Sequence, residues 1–119
     1  MRNDHLTIPS DLGTITVSSG AVADLVARTA ARCYGVVGLA SRTRVGRLLG
    51  RERAASAVTV GQEDGRVRVD LHVVVEYGLN LAEVAATLRS QVTYELERLT
   101  GLRVAAVGVH IENARRSDA

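Results

Sequence analysis

The chain has 119 residues, 46% of them hydrophobic and 24% charged, which suits a soluble globular chain with room for one core. A mean hydropathy of +0.08, with no apolar run near about eighteen residues, excludes a transmembrane helix. The formal charge of +2 is too small to demand an anionic partner, the lack of lysine excludes Schiff-base and P-loop chemistry, and the single Cys33 excludes an internal disulfide or multi-cysteine zinc site.

Met1 to His5 lacks the apolar stretch of a secretory leader, so export is not expected. Residues 1–12 are polar, hold the only proline, Pro9, and read as a flexible lead-in. Thr14-Ile15-Thr16-Val17 alternates apolar and polar side chains after Gly13, the pattern of a short half-buried strand. Ser18 and Ser19 offer capping oxygens for a helix whose apolar positions are Val22, Leu25, Val26, Thr29, Ala30 and Cys33. Gly35 supplies its stop, and Gly35 to Leu39 reads as a short apolar link.

The character then changes. Arg42, Arg44, Arg47, Arg51 and Arg53 stand against the single acid Glu52. Ala57 to Val60 resumes a strand pattern, and Glu63-Asp64-Gly65 is a hairpin turn signal. In the strand that follows, Val67, Val69, Leu71, Val73 and Val75 share one face, while Arg66, Arg68, Asp70, His72, Val74 and Glu76 take the other. Asn80 and Glu83 form a capping box for a second helix with the stripe Leu81, Val84, Ala85, Leu88, Val92, Leu96 and Leu99. Gly101 ends that helix, and Arg103 to Glu112 reads as a last strand with Ala105, Val107, Val109 and Ile111 facing the core.

The order β-α-β-β-α-β predicts an α+β fold: two helices packed on one face of a four-stranded, mostly antiparallel sheet, as a ferredoxin-like or similar two-layer sandwich. A lead-in over 1–12, one domain over 13–112 and a flexible tail over 113–119 complete the expected organisation.

Several stretches resemble the bacterial alkaline shock protein family, also called the Gls-type or envelope stress response family. They are Gly13-Thr-Ile-Thr-Val-Ser-Ser, Gly35-Val-Val-Gly-Leu and Val73-Val-Val-Glu-Tyr-Gly-Leu-Asn-Leu-Ala-Glu-Val-Ala. Val92-Thr-Tyr-Glu-Leu-Glu-Arg-Leu-Thr-Gly-Leu-Arg-Val and the closing Val107-Gly-Val-His-Ile-Glu continue the likeness, which spans about Leu12 to Asn113. The resemblance implies a non-enzymatic cytoplasmic protein of cell-envelope homeostasis, at the inner face of the membrane. It also implies partners: further copies of itself and a membrane-anchored protein. It carries over no catalytic residue, no metal and no cofactor.

The expected interaction surface is Arg42, Arg44, Arg47, Leu48, Leu49, Arg51 and Arg53, together with Tyr94. A basic amphipathic turn suits an anionic membrane or an acidic partner, although Gly46 and Gly50 weaken any helix there by about 1 kcal/mol each. A solvated loop whose leucines cover an edge of the core is the competing account. Tyr94 either anchors a partner or flanks the core with its hydroxyl in water. His72 and His110, with Asp70, Glu76 and Glu112 on the same open face, form the only metal-ligand pattern, and no metal is expected there. Cys33 reads as core, at the wrong pole of its helix for a reactive thiol. The alternative function is a weak nucleic-acid binder using the same arginines. Gly35-Val36-Val37-Gly38 lacks the basic residues of a nucleic-acid clamp, and the sheet lacks stacking aromatics.

Overall fold

A computed structural model describes residues 5–40 and 57–116. Its elements are β1 (His5–Ser10), β2 (Gly13–Ser18), α1 (Ser19–Ala31), β3 (Val36–Leu39), β4 (Val58–Glu63), β5 (Arg66–Glu76), α2 (Leu81–Thr100) and β6 (Val104–Arg115).

β5 is the spine. Its odd-numbered residues Val67 to Val75 are all buried and face the two helices. α1 brings Val22, Val26 and Ala30 to this core, and α2 brings Val84, Leu88, Val92 and Leu96 at helical spacing. β6 runs parallel to β5 along Val67–Glu76, while β3 and β4 pair with it antiparallel. A strand has only two edges, so β3 and β4 share the one that β6 leaves open. Ala40 N–H donates to the His72 carbonyl at 2.9 Å, and His72 N–H donates to the Ala57 carbonyl at 3.0 Å. β3 and β4 are therefore two halves of one interrupted edge strand, joined at His72.

The chain is an α+β two-layer sandwich, as the periodicity predicts, but its strand order is not ferredoxin-like. In that order the strand before the first helix would join the main sheet. Here β2 instead forms a separate two-stranded sheet with β1. The stretch 1–12, expected as a lead-in, thus contains a strand: Leu6 is buried and anchors it to the core. The apolar link is also a strand, β3, because Val36 and Leu39 pack against the core opposite Val75 and Val73. β6 continues into the expected tail as far as Arg115.

Local signals act where expected. Ser18 Oγ accepts from the Gly20 and Ala21 amides at 3.1 and 3.4 Å. Asn80 Oδ1 accepts from the Glu83 amide at 3.0 Å, and Gly101 closes α2 with φ +76°. Asp64 and Gly65, at φ +52° and +77°, make the left-handed turn that joins β4 to β5. Three details differ. Leu81 and Leu99, at the two ends of the expected stripe, are exposed. Ala105 falls at a register shift, a bulge between Val104 and Ala106, and lies outside the core cluster. α1 ends at Ala31 with Arg32 as its cap, short of the expected stop at Gly35, so Cys33 lies beyond the helix; it is half-buried against the core, its thiol donating to the Thr29 carbonyl at 3.3 Å. Burial pushes that thiol up from its ordinary range, partly offset by the Arg32 charge.

Candidate interaction surface

Arg42, Arg44, Arg47, Leu48, Leu49, Arg51 and Arg53 lie outside the described residues. Their points of attachment do not: the chain leaves at Ala40 and returns at Ala57, both bonded to the His72 backbone. Ala40 and Ala57 both lie on the interrupted edge of the main sheet, beside β5.

Tyr94 is described, and it is 61% exposed on α2. The Arg98 guanidinium lies 6.0 Å from its ring centre and donates to Glu95 at 2.8 Å. The hydrogen bond it donates to the Glu95 carboxylate, together with that group's charge, pushes Arg98 further up from its ordinary range. At the other end of α2, Tyr77 is exposed beneath Arg116, 5.5 Å from its ring centre. Nothing in the sequence pattern flagged Arg116. Its contact arises because the Tyr77 amide donates to the Arg115 carbonyl at 2.8 Å, which closes β6 against the end of β5.

The main sheet's second face carries the densest polar cluster. Parallel pairing sets His72 directly opposite His110, and their rings stack at 4.5 Å with 14° between planes. His72 Nδ1 lies 2.6 Å from Glu112 Oε2, and His110 Nε2 lies 3.2 Å from Asp70 Oδ1. Arg68 Nε approaches the other Asp70 oxygen at 3.5 Å. Two backbone accommodations make this cluster. Glu112 is the extra residue where the register moves from Val73↔Ile111 to Val74↔Asn113, so the bulge aims its carboxylate at His72. Gly108 sits opposite Asp70, and a side-chain carbon there would run into the Asp70 carboxylate.

The sequence pattern brought His72, His110, Asp70 and Glu112 to one face, and the structure joins all four. Glu76 is separated from them, in register with Arg115. A metal ion binds imidazole in the plane of the ring, whereas two stacked rings offer parallel lone pairs that do not converge. Among the described residues no group of three or more His, Cys, Asp or Glu side chains is placed to hold an ion. The cluster ties β5 to β6 instead. Beside it Val74 is buried on this nominally open face. A Cβ at Gly38 would come 3.2 Å from Arg115 Nη2, so the Arg115 side chain crosses from β6 toward β3 over Val74.

No helix among the described residues is long and apolar enough to cross a membrane. No solved structure matches this chain. The YloU protein of Bacillus subtilis strain 168, described only as uncharacterized, is 30% identical over 107 residues, spanning 87% of this chain and 89% of its own length. The Spy1614 protein of Streptococcus pyogenes serotype M6, also uncharacterized, is 32% identical over 107 residues, spanning 87% of this chain and 88% of its own. The profile of the alkaline shock protein 23 family, described as having a cell envelope-related function, matches residues 7–116. With nearly the whole fold inside that match, from β1 to the end of β6, the chain belongs to the alkaline shock protein 23 family, and its role is related to the cell envelope.

Proposed function

We propose that this protein is a non-enzymatic interaction module of the envelope stress response, which associates with itself and docks on a membrane-anchored partner at the cytoplasmic face of the membrane. The observation that carries this reading is the family match over residues 7–116 with its cell envelope-related function. The residue inventory is in keeping with it. Among the described residues His72 and His110 are held by the Glu112 and Asp70 carboxylates in a sheet-bridging cluster. The docking surface is the stretch with Arg42, Arg44, Arg47, Leu48, Leu49, Arg51 and Arg53, with Tyr94 as a second contact.

Fractionation of source cells, with and without nuclease and then with a high-salt wash, tests the reading. The protein is expected to sediment with membrane regardless of nuclease and to be released by salt. Replacing Arg44, Arg47 and Arg51 together with Ser is expected to leave the melting temperature unchanged and to move the protein into the soluble fraction. Release by nuclease alone would sink the envelope reading in favour of nucleic-acid binding.

A further inference from the structure

Among the described residues the β1–β2 hairpin leaves one strand edge open, and its chemistry names the occupant. Pro9 has no N–H, so it fits the ladder only where its nitrogen faces away from β2. With Pro9 opposite Thr14 and Thr7 opposite Thr16, the backbone groups of Thr7 and Pro9 face outward on β1, and those of Thr14 and Thr16 face outward on β2. The outer edge of β1 is blocked: the Thr7 carbonyl accepts from Gln62 Nε2 at 2.8 Å, and Pro9 offers no donor. β6 is guarded by two bulges and by charged side chains. The outer edge of β2 has none of these devices. Gly-Thr-Ile-Thr-Val-Ser carries no charge and no proline, and among the described residues β2 pairs with β1 alone.

We propose that β2 is a self-recognition edge, pairing antiparallel with β2 of a second copy about a two-fold axis through Ile15. The inference rests on the self-association in the proposed function and names its surface. The segment is self-complementary about that axis. Thr14 faces Thr16 of the second copy in a pair that exchanges both N–H···O bonds, and Thr16 faces Thr14 likewise. Ile15 meets Ile15 in the intervening pair, where side chains approach closest. Two exposures are thereby covered. Val17 packs on the core, but Ile15, next on the same face, is 51% exposed. Leu12 at the hairpin tip is 100% exposed, and the register sets it opposite Ser18 of the second copy, where that copy's α1 begins. A two-stranded ribbon is marginal alone in water, and the pairing converts two of them into one four-stranded sheet.

Analytical ultracentrifugation of the full chain tests this, with Thr16→Pro and Ile15→Lys. Thr16→Pro removes an outward N–H, as Pro9 does on β1, and leaves the hairpin's own ladder intact. Ile15→Lys places like charges face to face. The wild-type chain is expected to form a dimer, and each variant to weaken it about tenfold or more at an unchanged melting temperature. Ile15→Cys in a Cys33→Ser background is expected to cross-link between copies on oxidation, while Thr14→Cys in that background does not. If Thr16→Pro perturbs folding, Ile15→Lys and the cross-link carry the test. A dimer that ignores the variants and does not cross-link overturns the β2 edge and leaves self-association standing. A wild-type chain that stays monomeric at about 0.1 mM overturns both.

Discussion

Gly108 decides whether the His72–His110 cluster exists. Its missing side chain lets the Asp70 carboxylate lean across the sheet to His110 Nε2 at 3.2 Å. Gly108→Ala is expected to cost about 1–3 kcal/mol, by displacing Asp70 and freeing one imidazole. Adding Asp70→Ala to it should recover part of that loss, since the carboxylate is what the new methyl meets. Urea denaturation of the two single variants and the double variant measures the coupling, and strict additivity would sink the account. The clash could not be read from residue order. Gly108 and Asp70 are far apart in the chain, and only the parallel register of β5 and β6 sets them face to face.

At the scale of elements, α2 shows what periodicity captures and where it stops. A stripe at three- and four-residue spacing identifies the buried face, and Val84, Leu88, Val92 and Leu96 lie on it. It does not say how far the sheet extends beneath the helix. Leu99 obeys the spacing yet is 53% exposed, whereas Leu88 is 0% exposed. Leu88→Ala is therefore expected to cost about 2–5 kcal/mol, by transfer and cavity terms together. Leu99→Ala should cost under about 1 kcal/mol. Equal losses in thermal melts would mean that α2 is seated one turn further along than described. β3 illustrates the opposite limit. Four residues that follow Gly35 and include Gly38 carry too short a pattern to be called a strand, and only the ladder with Val73 to Val75 makes them one.

For the molecule as a whole, stability should be graded from β5 outward to the hairpin. β5 is bonded on both edges and covered by both helices, while β2 from Thr14 to Thr16 is exposed and paired on one edge. Amide hydrogen exchange at concentrations where the chain is monomeric is expected to be slowest at Val69, Leu71 and Val73 and much faster at Ile15. Raising the concentration should slow exchange at Thr14 and Thr16 selectively if β2 pairs between copies. Uniform protection across both sheets would contradict this gradient.

The sequence by itself determined the α+β class, both helices with their N-terminal caps and the Gly101 stop of α2, the alternation along β5 and the resemblance that the family match bears out. These follow from local rules: side-chain period, turn chemistry and capping act within a few residues. The tertiary structure decided the rest. It set β6 parallel to β5, split one edge strand into β3 and β4 around His72, and gave β2 a partner in β1 in place of the main sheet. Each of these is a choice among strand partners of similar local pattern. Such choices are made by long-range packing, such as the burial of Leu6 at the base of the hairpin, which no single segment encodes.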